Sequence, residues 1–416
     1  MSTKKFINAV IYKHDDANEI LVENGKFKAI GKDLGPADEV IDLEGRLVLP
    51  PYVDPHIHLD YVYTGLEGDQ TGSDSGTLFE GIERWAEYKR TQTVEEVKER
   101  ALRGIKEQMS YGTQYIRTHV DVTDPNMTGM KALLELREEL KDKVTLQLVS
   151  FPQESMYSYK NGLELVEEGL KMGADAVGGI PHSEIARLYG EKSVQQMMEL
   201  AYKYNRMVDV HIDENDDPQS RFLELLTAEA YYNDYGKYTA ASHTCSFGSA
   251  DDSYAYRMIG NFIKTGLNFI VAPTENAYLQ GRYDTYPKRR GITRVREFVD
   301  HGINVGFAQD SIADLFYPAG NGNLMNILDN GIHLTQLMND EDFKRNFDLI
   351  TYNNAKTMML DDYGLEEGNS ANFIVLDAPD VYEAQRIRAD VLASVRNGEY
   401  LFKKKPVEYD VELELD

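Results

Sequence analysis

The chain has 416 residues, 42% of them hydrophobic and 27% charged, with a formal net charge of −26. That length and balance suit a (β/α)8 barrel with an appended module and exclude global disorder, and so acidic a chain repels phosphate backbones, which argues against nucleic acid as a partner. Its single cysteine, Cys245, excludes an internal disulfide, a cysteine-rich zinc site and the deaminase type whose zinc is held by a Pro-Cys-x-x-Cys segment.

The first residues, "MSTKKFINAV", carry no long apolar stretch, and no run long and apolar enough to span a bilayer follows. A soluble, cytoplasmic protein with no membrane partner is expected. "EILVENGKFKAIG" predicts a hairpin, because alternating apolar residues flank Asn24-Gly25, a type I′ turn signal. "ANFIVLD" (371–377) predicts a strand, and "VLASVRNGEYLF" (391–402) a second hairpin on Asn397-Gly398. Neither end has residues enough for a core of its own. Residues 1–47 with 366–416 are therefore expected to form one small β-sandwich-like domain. The acidic tail "YDVELELD" reads as solvated chain.

Residues 48–365 have another rhythm. Short apolar strands are expected at 46–53, 113–121, 145–153, 176–182, 207–213, 238–244, 267–273 and 303–309. Helical stretches such as "TVEEVKERALRGIKEQMSYG", "MKALLELREELKDK" and "SVQQMMELAYKY" alternate with them, their apolar residues recurring at three- and four-residue spacing. Eight β-then-α units predict an α/β fold, a (β/α)8 TIM barrel.

Such a barrel carries its chemistry at the C-terminal ends of its strands. Here those ends hold His56 and His58, then His119 and Asp121, Gln153, His182, His211 and Glu214, His243, and Asp310. In "LPPYVDPHIHLD" the two histidines lie two residues apart, so on a strand they face the same way. Imidazole and carboxylate together suit zinc or ferrous iron with an open position for water. His56, His58, His211 and Asp310 would converge from strands 1, 5 and 8. An ion held there lowers the pKa of its water toward about 7. Glu214, three residues after His211, is placed beside such an ion as a proton shuttle. His119 and His182 are as well explained by hydrogen bonding inside the barrel, and nothing local fixes the role of His243.

The chain resembles the amidohydrolase superfamily, and within it the bacterial cytosine deaminases. The resemblance runs through "LPPYVDPHIHLD", "GTLFEGIERWAEYK", "FPQE", "GADAVGGIPH", "VDVHIDENDDPQSRF", "SHTCSF" and "LQGRYDTYPKRRGITRVREF", in that order. It implies a metal-dependent hydrolytic deaminase that releases ammonia from a small cyclic amidine, cytosine or a close analogue. It implies one divalent ion per subunit, zinc or iron, on His56, His58, His211 and Asp310. Glu214 matches the acid/base that serves the ring nitrogen, and Asp310 also takes the water's proton. His243 matches the histidine that orients the water, and Gln153 the amide that holds the base's carbonyl edge. Binuclear relatives carry a bridging lysine on strand 4; "AVGGIPH" has none.

The departures concern substrate. Where the cytosine deaminases read His-Asp-Asp after strand 8, this chain reads Gln309-Asp310-Ser311, which is expected to remove a charge and leave room. Phe316 stands where the pattern has tryptophan. Ser311, Phe316, Gln153 and His182 are the expected substrate contacts. A 5-substituted cytosine is one consequence of the altered wall. The alternative is a creatinine deaminase, which would give N-methylhydantoin. The resemblance also implies a homo-oligomer.

Overall fold

Pro50 and Pro51 divide what reads as one strand at 46–53 into two, because neither proline can donate to a ladder. Leu47–Leu49 pairs with Phe373–Leu376 and Val10–Ile11, while the first barrel strand is Tyr52–Ile57. The structure, a computed structural model, describes residues 3–66, 73–408 and 412. The solvated reading of the "YDVELELD" tail therefore falls almost wholly outside the described residues.

The chain divides into two compact units, Met1–Pro51 with Asp362–Asp416, and Tyr52–Asp361. The first holds a four-stranded sheet in the order Lys26–Gly31, Glu19–Glu23, Thr3–Ile7, Glu39–Asp42. Its second sheet runs Glu399–Lys403, Val391–Arg396, Phe373–Leu376, Leu47–Leu49, Val10–Ile11. Phe6 of one sheet meets Phe373 of the other edge to face, their centroids 4.9 Å apart. Both hairpin turns have the positive φ that a type I′ turn requires: +53° and +76° at Asn24-Gly25, +50° and +74° at Asn397-Gly398.

The second unit is a (β/α)8 barrel. Its strands, numbered 1 to 8 in chain order, are Tyr52–Ile57, Thr113–Asp121, Thr145–Phe151, Ala176–Val177, Met207–Ile212, Thr239–His243, Asn268–Val271 and Asn304–Phe307. Each pairs in parallel with the next. Strand 1 returns to the segment after strand 8 through a parallel bridge between Ile57 and Asp310. Strand 4 is shorter than the expected 176–182. Gly178 and Gly179 follow it, and "PHS" coils into a 3-10 turn, Pro181–Ser183. The helices fall where periodicity places them. Thr93 and Glu96 form a reciprocal capping box at the start of Val94–Ser110, satisfying two otherwise free N–H groups.

The barrel interior is not wholly apolar. Arg117 of strand 2 is buried and donates to Asp209 Oδ2 at 2.9 Å, Gln147 Oε1 at 3.0 Å and the Thr357 carbonyl at 3.1 Å. This layer lies beneath the strand ends that carry the site. Among the described residues no helix is long and apolar enough to cross a membrane.

Candidate active site

The barrel closes at the residues expected to carry its chemistry. Asp310 N donates to the His56 carbonyl at 2.9 Å, and His58 N donates to the Asp310 carbonyl at 3.1 Å. Two main-chain bonds thus fix three side chains from opposite ends of the barrel sequence. Asp310 sits at φ +67°, a left-handed conformation that aspartate tolerates better than most residues.

The imidazoles meet nitrogen to nitrogen. His211 Nε2 lies 3.2 Å from His56 Nε2 and 3.0 Å from His58 Nε2, and Asp310 Oδ1 lies 3.5 Å from both of the latter. Burial, and then the neighbouring imidazoles, push all three histidines well below their ordinary pKa. They are neutral rings offering lone pairs.

The tautomer of His56 follows from its partners. Its Nδ1 lies 2.9 Å from Ser242 Oγ, and Ser242 Oγ donates to Asp209 Oδ1 at 2.8 Å. Asp209 is held below the usual carboxylate range by His119 and Arg117, against the opposing effect of burial. A serine has one proton, and an ionised carboxylate can only accept it. His56 Nδ1 therefore carries a proton toward Ser242, and Nε2 is bare where the rings converge. The Nε2 atoms of His56, His58 and His211 and the Asp310 carboxyl group thus crowd together at one point, with that of His56 bare. This donor set fits one divalent cation.

Aromatic faces fix two of these rings. Tyr61 stacks on His58 at 4.6 Å and Phe151 on His211 at 4.1 Å. Among the described residues two sets of buried groups have ligand atoms within 4.8 Å of one another: His56, His211, His243 and Asp310; and His56, His58 and His119. His243 Nδ1 faces Asp310 Oδ2 at 3.7 Å, but the Asn276 amide approaches the same nitrogen at 3.1 Å. His119 packs on His56 at 3.9 Å, with Nε2 3.4 Å from Asp209 Oδ1.

Glu214 enters from the loop after strand 5. Asp213 before it accepts from Ser220 Oγ, Phe222 N and Leu223 N, which anchors the loop to the helix Phe222–Tyr232. Glu214 is buried, with Oε1 3.7 Å from His243 Nδ1. Burial, and then the charge of Glu275, hold its carboxyl well above the usual range. It lines a cleft of about 310 Å³ with His182, Asn215, Gln280 and Arg282. That is the lower end of small-molecule sites, about 300–1,000 Å³.

His182 sits on the 3-10 turn, and burial pushes it down to about 3. Gln153 is buried after strand 3, and its main-chain N–H donates to Asp121 Oδ1 at 3.2 Å. Asp121 also takes Lys89 Nζ at 2.7 Å and Trp85 Nε1 at 2.8 Å. Among the described residues Gln153 Oε1 and both His182 nitrogens have no hydrogen-bond partner. Phe316 joins an apolar cluster with Tyr61, Trp85 and Leu315.

Sequence reasoning missed Glu275, and with it one expectation needs revising. Ser311 carries no charge on the strand 8 segment, and a carboxyl group, that of Glu275, arrives instead from the strand 7 side. Glu275 is buried there, within reach of Asp310, Asp314 and Ser311. Its segment, "APTENAYLQ", has no motif that marks it; only the position after strand 7 could have drawn attention to it. Asp209 and Ser242 were missed because they sit inside strands rather than at their ends.

Comparison with known proteins agrees with this architecture. The chain aligns at 46% identity with a 5-methylcytosine deaminase from Klebsiella pneumoniae liganded with 5-fluorocytosine, covering 98% of this chain and 99% of that one, with a TM-score of 0.94. A second structure of that enzyme, liganded with phosphonocytosine, gives 46% identity over 98% and 100% of the chains and a TM-score of 0.93. N-isopropylammelide isopropyl amidohydrolase from Pseudomonas sp. (strain ADP) is 28% identical over 96% of this chain and 97% of its own length. Residues 39–140 and 130–402 match the amidohydrolase family. A hydrolytic enzyme with a cluster of groups able to hold a metal, the chain belongs to the amidohydrolase family.

Proposed function

We propose that the protein is a metal-dependent hydrolytic deaminase of a cytosine-type base, with a 5-substituted cytosine as its preferred substrate. The observation that carries this reading is the convergence of His56, His58, His211 and Asp310 beside Glu214. The likeness to a 5-methylcytosine deaminase supports the choice of base.

In this reading His56, His58, His211 and Asp310 hold one divalent ion, zinc or ferrous iron. Bound there, the ion would lower the pKa of a water from 15.7 toward about 7 and so provide a nucleophile at neutral pH. Asp310 accepts a proton from that water. Glu214, kept protonated by burial, donates to the ring nitrogen. His243, held by Asn276, orients the attacking oxygen. Gln153, whose Oε1 has no hydrogen-bond partner among the described residues, would donate an amide N–H to the carbonyl edge of the base. Net, water gives its oxygen to the carbon, one proton to the ring nitrogen and one to the departing amine. Ser311, small and uncharged, and Phe316, apolar, bound the pocket wall where a 5-substituent would lie.

Ammonia release from cytosine, 5-methylcytosine, isocytosine and creatinine by metal-loaded protein tests the reading. Turnover of the two cytosines, with 5-methylcytosine ahead, is the expected result. Turnover of creatinine alone would move the assignment to the iminohydrolase, and inertness toward all four would end it.

A further inference from the structure

Glu275 is the third residue of the short helix Pro273–Leu279, which begins just after strand 7. The next residue, Asn276, reaches His243. One turn of chain therefore delivers two side chains to the site. Glu275 is 3% exposed, Ser311 0% and Asp314 0%. The Ser311 hydroxyl faces both carboxylates.

The three residues share a feature. Among the described residues, Glu275 Oε2, Ser311 Oγ and Asp314 Oδ2 are buried with no hydrogen bond of ordinary geometry. Asp314 is nonetheless compensated, because its other oxygen accepts the N–H groups of Phe316 and Tyr317 at 3.0 and 2.9 Å. Asp310 faces the imidazoles. Glu275 has neither: the groups acting on it are Asp310, Asp314 and Ser311, with no basic side chain among them. A buried carboxyl oxygen without a donor is costly. Burial, and then Asp310 and Asp314, hold the Glu275 carboxyl well above the usual range, so it faces the site as a neutral carboxyl whose Oε2 has no partner among the described residues and is open to one on a ligand.

The barrel says which part of a ligand meets it. Strands 3 and 7 are four apart in a ring of eight and so stand on opposite sides of the mouth. Gln153 follows strand 3 and Glu275 follows strand 7. In a planar base the carbon opposite the carbonyl is C5 and the amine-bearing C4 lies beside it, so a base whose carbonyl edge rests on Gln153 turns its C4–C5 side toward the half of the mouth that holds Glu275. Both Glu214 and Asp310 lie within electrostatic reach of Glu275, so that half of the mouth also borders the reacting carbon.

We propose that Glu275 contacts the substrate, accepting a hydrogen bond from the amino group that the reaction removes. The proposal rests on the deaminase reading above. It also gives Ser311 a second role. A short side chain there leaves space for a carboxyl group to arrive from strand 7 instead of strand 8, which grips the amine while the ring's 5-position stays open.

The test compares E275A and the near-isosteric E275Q with the wild type, all metal-loaded and checked for melting temperature and metal content. KM and kcat are measured on cytosine and 5-methylcytosine, and inhibition constants for uracil, which has an oxygen in place of the amine. E275A is expected to raise KM by about 10- to 100-fold, while uracil, which has no amine to donate to Glu275, binds about as well as to the wild type. E275Q, which keeps an acceptor oxygen and most of the packing, is expected to fall between E275A and the wild type. Parallel losses for cytosine and uracil would show a merely structural role and overturn the proposal, as would unchanged KM in E275Q and E275A. A wild type that turns over no aminopyrimidine overturns the deaminase reading and this proposal together. A wild type that turns them over beside unaffected variants overturns this proposal alone.

Discussion

His58 and Asp310 are joined twice: His58 N donates to the Asp310 carbonyl at 3.1 Å, and their side chains face each other at 3.5 Å. The seam that closes the barrel is thus also the seam between candidate ligands, so ion binding and barrel closure are mechanically linked. Asp310 holds φ +67°, which asparagine tolerates and alanine does not. Asp310→Asn is predicted to fold, to lose bound metal, and to lose activity by about three orders of magnitude or more. Asp310→Ala should be less stable than Asp310→Asn by about 1–2 kcal/mol. Denaturant melts and metal analysis of the two variants check both statements.

Ser242 fixes the tautomer of His56 by passing its own proton to Asp209. Partners of this kind contribute about 10- to 100-fold to metal affinity or activity when removed. Ser242→Ala is predicted to weaken metal binding within that range, read by competition with a chelator, with little change in KM. Affinity equal to that of the wild type would contradict the tautomer assignment.

Glu214 Oε1 faces His243 Nδ1 at 3.7 Å and is placed to move a proton, not to hold the ion. Glu214→Gln should therefore keep its metal while kcat falls by about 10²- to 10⁴-fold. Single-turnover rates on cytosine, measured beside metal content, separate the two effects. A metal-loaded variant with full activity would remove Glu214 from the proton path.

Gly81 is the point at which the helix Leu78–Tyr88 meets Phe316. A Cβ at this position would lie 2.5 Å from Phe316 Cδ1 and 2.9 Å from Cε1. Gly81→Ala is predicted to push the ring toward Tyr61, which stacks on His58, and to cost about 1–3 kcal/mol. Thermal melts give the cost, and a changed ratio of KM values for cytosine and 5-methylcytosine reports whether the pocket wall moved with it.

What the amino-acid sequence made legible was periodic or positional. The alternation around Asn24-Gly25 predicted its hairpin, and His56, His58, His211 and Asp310 stand out because they recur at strand ends. Two strand boundaries were less legible. Pro50-Pro51 hands the chain from one sheet to another, and Gly178-Gly179 ends strand 4 early, so backbone constraints prevailed over the hydrophobic pattern. Groups whose importance lies in a contact left no such trace. Ser242 is an ordinary strand serine until Asp209 and His56 are placed on either side of it. Glu275 is an ordinary glutamate until the turn after strand 7 buries it beside Ser311. The carboxyl group that faces Ser311 lies 36 residues earlier in the chain, where only folding brings it near.

The central claim is that one bound ion, held by His56, His58, His211 and Asp310, supports deamination of a cytosine-type base. The most direct measurement is ammonia release from 5-methylcytosine before and after chelation and after stoichiometric return of zinc or ferrous iron, with metal counted per chain. The account predicts loss of turnover on chelation and its recovery at one ion per chain. Unchanged turnover in metal-free protein, or no ammonia from any cytosine at one ion per chain, would contradict it.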